Sequence, residues 1–334
     1  MSATSLLEVR GLTKHFPVRT GFVRQLFARG PRPVVRALEG VDFALEAGEV
    51  LGVVGESGCG KSTLGFTLVR LFEPTAGEMR FSGAQVDRGS AARDKAFRRQ
   101  VQLVFQDPYQ SLNPRFTVYE TVREPLVIHG LERGGLRRRV LEMLGEVGLR
   151  PAQAYLERYP HELSGGQRQR VSIARAMVLE PRLLVADEPI SMLDVSIRAG
   201  ILGLLRRLSE ERGLAIVYIS HDISTVRYLC RRTAVMYLGR IVEIGPTEQV
   251  LNEPRHPYTK ALVAAMPRIR SAAARARVRL PGEVPSPVDV PTGCVFHPRC
   301  AQALPSCNRD VPQPLRMADG RTVTCVLYEK EKKQ

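Results

Sequence analysis

Gly55-Glu56-Ser57-Gly58-Cys59-Gly60-Lys61-Ser62-Thr63 stands between an apolar run, Val50-Leu51-Gly52-Val53-Val54, and a helix-like run from Ser62 to Leu71. A strand, a glycine-rich turn closing on Lys-Ser and a helix together make a phosphate cradle. The glycines let successive backbone N–H groups face a polyphosphate, and the helix N-terminus adds a favourable dipole. Lys61 is expected to reach the β- and γ-phosphates, and the Ser62 hydroxyl to ligate Mg²⁺. The flanking strand and helix separate this pattern from a chance glycine-rich turn. The expected ligand is a nucleoside triphosphate and the expected fold is α/β.

Working outward, the 334 residues suit roughly two domains, and 44% hydrophobic residues are enough for a sizeable core. No run approaches the ~20 apolar residues of a membrane-spanning helix. Met1-Ser2-Ala3-Thr4-Ser5 lacks the charged-then-apolar order of an export signal. An intracellular chain is therefore expected, and its six cysteines read as buried thiols or metal ligands before disulfides. The net charge of +15 implies an anionic neighbour, whether nucleotide, nucleic acid or the inner face of a membrane, unless it is only a solvated basic surface.

Upstream of the loop, Leu6 to Arg10 alternates as a strand and leads to Phe16, either a stacking platform for an adenine ring or an ordinary core phenylalanine. An arginine- and glycine-rich insertion, 19–36, carries Phe22, Leu26 and Phe27 and suits a loop or a short basic amphipathic segment. A second strand is expected at Val41 to Leu45. Downstream, Gly77 to Phe81 and Val101 to Phe105 read as strands, the latter ending at Gln106, whose amide oxygen could reach Mg²⁺ or an attacking water. From Asp107 to about His161 the chain turns helical and basic.

Leu163-Ser164-Gly165-Gly166-Gln167 opens another helix, with Ser164 and Gln167 spaced as a capping box. Gly165 and Gly166 would leave backbone N–H groups open to a phosphate, so a nucleotide shared between two chains is expected. Leu183-Leu184-Val185-Ala186-Asp187 is an apolar run closing on two acids, as a buried parallel strand would. Asp187 is placed to hold Mg²⁺, and Glu188 to polarise water against the γ-phosphate. Ser191-Met192-Leu193-Asp194 turns into a helix, and the strand Leu214 to Ser220 ends at His221, a candidate donor to the γ-phosphate.

In this order, Phe16, Gly55 to Thr63, Gln106, Leu163 to Gln167, Leu183 to Glu188, Ser191 to Asp194 and His221 resemble the ATPase subunit of an ABC transporter. The resemblance covers residues 6 to about 250. It implies that these are the adenine-stacking aromatic, Walker A, Q-loop, signature, Walker B with its catalytic glutamate, D-loop and switch histidine. Met192 departs from the family's usual small alanine. The segments Gly55 to Gly60, Phe105 to Pro114 and His256-Pro257-Tyr258-Thr259 are similar to bacterial dipeptide and oligopeptide importers, a group that includes nickel importers. Phe16-Pro17-Val18-Arg19 most resembles the second of their two ATPases.

What the resemblance implies is an ATPase domain over 1–250, with a helical subdomain at about 107–165, and an extension over 251–334. It implies a heterodimer with a second ATPase under two membrane permease subunits at the cytoplasmic face, fed by an extracytoplasmic binding protein. No nucleic-acid partner is expected. A metal-chelate importer and a DNA-associated ABC ATPase are the alternatives, although Gln106 and Leu163 are too close for the long coiled coil that usually splits the motifs of the latter.

Past Pro246 a helix is expected over Tyr258 to Met266, then a basic stretch, Arg268 to Arg279, and an extended linker marked by Pro281, Pro285, Pro287 and Pro291. Cys294, Cys300, Cys307 and Cys325 follow in a tail too small for its own core, which points to a ligated centre. Their spacing separates neither zinc from iron-sulfur. The importer resemblance favours a 4Fe-4S cluster.

Overall fold

The computed structural model describes residues 5–18, 33–87, 89–131, 134–265 and 282–329. Most of the basic insertion, Arg133, Met266, the Arg268 to Arg279 stretch and Pro281 lie outside them. The described residues fall into two compact units that interleave along the chain. One draws on Met1–Leu7, Leu45–Leu51 and Phe81–Ile219, the other on Glu8–Ala44, Gly52–Arg80 and Ser220–Gln334. The loop strand Val50–Val54 begins in the first and ends in the second.

In the first unit Val101–Val104, Leu183–Asp187 and Ala215–Ile219 form a parallel ladder with Leu183–Asp187 in the middle. All five residues of that central strand are buried, as its unbroken apolar run requires of a strand covered on both faces. The strand before Gln106 stops one residue short of the expected Phe105, ending at Val104. The helix Val195–Arg212 connects two of these strands and stops at Gly213, which takes the left-handed conformation that terminates helices.

Three further helices of this unit, Val118–Ile128, Leu136–Glu146 and Gly165–Met177, pack on one another. Val122, Leu126, Val140, Leu144 and Val171 are among their buried residues. Thr117 and Glu120 close a reciprocal capping box at the start of the first, so the chain after Gln106 is a short helix, Pro108–Ser111, a turn and then this capped helix.

In the second unit the strands Val34–Leu45, Leu7–Pro17 and Ala76–Phe81 lie side by side. Arg232–Tyr237 neighbours the end of the loop strand on one side and pairs antiparallel with Arg240–Pro246 on the other. The tail then adds itself to this sheet: Glu243 faces Val323 and Ile244 faces Thr322, and Leu315–Arg316 pairs with the same tail strand. The tail therefore borrows a sheet edge for its core. The helix expected from Tyr258 spans Pro257–Ala264, starting on a proline suited to the first turn.

Beneath that added strand lies a charge network. Glu243 is fully buried and accepts from the backbone N–H groups of Arg255, at 3.0 and 3.2 Å, and His256, at 2.9 Å. Arg321, 1% exposed, lies 3.7 Å from Glu243 and forks onto Asp319 at 2.9 and 2.6 Å. It also donates to the carbonyls of Gln249 and Glu253 at 3.2 and 2.6 Å, near the end of helix Thr247–Asn252. No described helix is long and apolar enough to cross a membrane.

Candidate functional site

The phosphate-binding loop belongs to the second unit. It delivers the chain into helix Lys61–Leu68, whose first residue is preceded by Gly60 at φ 101°, a left-handed conformation. A Cβ at Gly60 would meet the Ala37 carbonyl at 2.3 Å, so glycine is required both by φ and by close packing. No side chain caps this helix, which leaves its leading N–H groups to an anion. Lys61 is 6% exposed, and its ammonium donates to the Gly55 and Glu56 carbonyls at 2.8 and 2.9 Å. Ser57 and Gly58 are exposed at the loop's outer bend. Cys59 is buried, and burial pushes its thiol up against the opposing pull of Lys61. Ser62 and Thr63 are half-buried in the first helical turn.

Phe16, also in the second unit, is half-buried. Its ring meets Phe72 edge-on at 5.2 Å, and the Lys14 ammonium lies 4.8 Å from its centre. His221 is exposed, two residues past Ile219, the end of its strand.

In the first unit Asp187 ends the central strand and Glu188 follows it. Asp187 is 3% exposed. Glu188 is half-buried and takes φ 45°, an unusual value for a non-glycine residue of the kind held at functional sites. Two contacts over-determine it: its N–H donates to Ile219 O at 2.9 Å, and its carbonyl accepts from the Ser191 hydroxyl at 3.1 Å. Gln106 comes to it from 82 residues away, its amide nitrogen 3.3 Å from a Glu188 carboxylate oxygen. An amide donor on one carboxylate oxygen holds the group's direction.

The helix Gly165–Met177 opens with both halves of the predicted capping box. Gln167 N–H donates to Ser164 Oγ at 3.3 Å, and Ser164 N–H to Gln167 Oε1 at 2.9 Å. Gly166 has a packing reason as well: a Cβ there would lie 2.5 Å from Ile197 Cγ2, whereas at Gly165 the nearest atom would be Leu193 Cδ2 at 3.5 Å. Asp194 is exposed at the start of Val195–Arg212 and makes no side-chain cap. Met192, the departure from the family pattern, is 61% exposed and displaces nothing within the chain.

The four tail cysteines are not joined in disulfides, and all four line one small cavity of about 10 Å³ together with Phe296 and Val326. Burial raises the thiols of Cys294 and Cys300, and pushes Cys325 up to about 11 with Cys294, Cys300 and Cys307 adding to the effect. Among the described residues no group of three or more His, Cys, Asp or Glu is arranged to hold a metal ion. Metal ligation of the tail is thus not borne out by side-chain placement alone, although the thiols converge.

Two residues around the loop went unread as site residues. Tyr258 and Arg299 both bond to Glu56, one of the expected nucleotide-loop residues, and its carboxylate is committed to Arg299. A buried arginine demands a carboxylate, but nothing local names which one.

Residues 38–191 match the family described as ABC transporter, and residues 242–307 match the oligopeptide/dipeptide transporter C-terminal region. The probable peptide ABC transporter ATP-binding protein of Sinorhizobium fredii is 49% identical over 96% of this chain and 89% of its own length. The dipeptide transport ATP-binding protein DppF of Haemophilus influenzae is 47% identical over 96% of each chain. The oligopeptide transport ATP-binding protein AppF of Bacillus subtilis is 46% identical over 97% of this chain and 98% of its own. Among solved structures, a dimeric bacterial ABC transporter cassette matches with a TM-score of 0.62 and 30% identity, over 72% of this chain and 98% of that one.

Proposed function

Because this chain belongs to the ABC transporter ATPases, we propose that it is the ATP-binding and hydrolysing subunit that powers import of di- or oligopeptides through a membrane complex. It is peripheral to the cytoplasmic face of that membrane. Its partners are a second, non-identical ATPase and two permease subunits, supplied by an extracytoplasmic binding protein. Residues 1–250 form the ATPase domain and 251–334 the importer extension. The peptide substrate is supported by the likeness to dipeptide and oligopeptide proteins over nearly the whole chain, tail included.

The hydrolytic reading is carried by Glu188, held at positive φ past a buried strand with Gln106 on its carboxylate. In it, Lys61 and the uncapped helix start bind the β- and γ-phosphates. Mg²⁺, when bound, would neutralise developing phosphate charge, and Ser62, Gln106 and Asp187 are the residues that the family resemblance gives for holding it. Glu188 polarises the attacking water, and His221 donates to the γ-phosphate. Phe16 stacks the adenine. Ser164 to Gln167 and Asp194 serve the nucleotide bound by the partner ATPase.

In the assembled complex, Glu188→Gln keeps the shape and removes the charge, so ATP binding persists while kcat falls by about 10²–10⁴-fold. Turnover at the wild-type rate would remove Glu188 from this role.

We propose that the tail's donor set, four thiols outside disulfides, takes a 4Fe-4S cluster of structural purpose, with zinc the alternative metal, in an arrangement wider than the small cavity they now line. Cys294, Cys300, Cys307 and Cys325 would hold it and leave no ligand position for substrate. Protein purified without oxygen should be brown and carry about four irons per chain. Stoichiometric zinc without iron would replace the cluster while keeping the four-cysteine site.

A further inference from the structure

Glu56 follows the glycine that opens the phosphate-binding loop, and three of its groups are held at once. Its N–H donates to Tyr258 Oη at 2.8 Å, and its carbonyl accepts from Lys61 Nζ at 2.9 Å. Its carboxylate receives both arms of the Arg299 guanidinium, at 2.7 and 3.1 Å. The two outside residues come from 202 and 243 positions downstream. A planar guanidinium forked onto a carboxylate fixes direction as well as distance, which a single contact would not.

The clamp is buried on its far side. Arg299 is 5% exposed and also donates to Tyr237 Oη at 3.4 Å, while Tyr258 is fully buried. Tyr237, Tyr258 and Phe296 pack with ring centres 4.7 to 5.4 Å apart, so neither clamping residue can swing without disturbing the aromatic group behind it. Arg299 is mounted on the short turn His297–Arg299 between two of the tail cysteines. At one end His297 N–H donates to Cys294 O at 2.9 Å, and at the other Cys300 N–H donates to His297 O at 3.2 Å.

We propose that Arg299 and Tyr258 are positioning residues for the phosphate-binding loop, through which the fold of the four-cysteine tail sets the chain's affinity for nucleoside triphosphate. This rests on the nucleotide reading above and holds whichever metal the cysteines take. Glu56 links the loop to both clamping side chains, and the same residue's carbonyl holds Lys61. Loosening the clamp therefore lets the loop and its lysine sample geometries that do not match a triphosphate. Because coupling is reciprocal, nucleotide binding also tightens the tail.

The pair is asymmetric, and the asymmetry gives the test. Arg299 is 5% exposed but Glu56 is 25% exposed, so losing the carboxylate strands a buried cation, whereas losing the guanidinium leaves a carboxylate that water can reach. MgATP is titrated into the full-length chain, with hydrolysis kinetics and unfolding followed on the same samples. Arg299→Gln and Tyr258→Phe each weaken MgATP binding by about 10-fold, a magnitude within the range of residues that modulate coupling between sites, and raise KM with kcat largely kept.

Arg299→Lys, which keeps charge but loses the fork, falls between wild type and Arg299→Gln. Glu56→Gln is weaker than Arg299→Gln, and the double variant Glu56→Gln/Arg299→Gln recovers part of that loss. Unchanged MgATP affinity in folded Arg299→Lys and Tyr258→Phe, with only the unfolding midpoint shifted, would assign both residues to fold alone and overturn the proposal. Strictly additive losses in the double variant would overturn it too. If wild type itself fails to bind MgATP, the nucleotide reading falls, a result separate from either of these.

Discussion

Glycine at position 166 sits where two opposite effects can be weighed. Alanine is favoured over glycine in a helix interior by about 1 kcal/mol. A Cβ there would lie 2.5 Å from Ile197 Cγ2, an atom fixed on a β-branched side chain, and overpacking of that kind costs ~1–3 kcal/mol. The clash prevails, so Gly166→Ala lowers stability by about 1 kcal/mol in denaturant unfolding, whereas Gly165→Ala, with 3.5 Å to Leu193 Cδ2, is tolerated. Equal unfolding curves for the two variants would show that Ile197 yields. From the residues before it, Gly166 reads as open backbone for a phosphate. That it also makes room for a side chain 31 positions later needed the packed helix, because van der Waals exclusion acts through space and leaves no mark on neighbouring residues.

Among the elements, the tail strand Thr322–Val323 owes its place to what lies under it. Arg321 is 1% exposed, and the carboxylate forked onto it belongs to the turn residue Asp319. Hydrogen bonds from Arg321 hold the Asp319 carboxyl below its ordinary value of 3.8. A depressed acid contributes stability above its unfolded value and loses it as pH falls through the folded one. Wild type should therefore lose this contribution below about pH 4, and Asp319→Asn should remove that part of the acid dependence. At neutral pH Asp319→Asn should cost about 1–2 kcal/mol, since Asp319 is itself 30% exposed and the asparagine keeps one acceptor. Unfolding measured from pH 7 to 3 checks both, and identical acid slopes for the two proteins would exclude the pair as their source. Two-residue strands have no period to read. The apolar runs Val50–Val54 and Leu183–Ala186, by contrast, were legible, because a strand covered on both faces is apolar along nearly all its length.

For the chain as a whole, the tail is an integral part of its unit. Ending the chain at residue 281 would remove Arg321 from the buried Glu243, Arg299 from Glu56 and the strand paired with Arg240–Pro246. It would leave a buried carboxylate without its cation and an open sheet edge, so the shortened protein should aggregate on expression. A soluble product with the full-length unfolding midpoint would show the tail to be dispensable. The phosphate loop, the capping box at Ser164, the strand closing on Asp187 and Glu188 and the family itself could all be read from the chain's letters. The loop, the capping box and the strand each depend on groups within a few residues of one another, where backbone geometry and hydrophobic period dictate the outcome, and the family on their order along the chain. The Gln106 contact with Glu188, the Arg299 fork on Glu56 and the pairing of Glu243 with Val323 span 82, 243 and 80 residues, and folding alone brought them together. Such partners are chosen by burial, since a charge or polar group taken out of water must find its complement wherever the packed chain presents it.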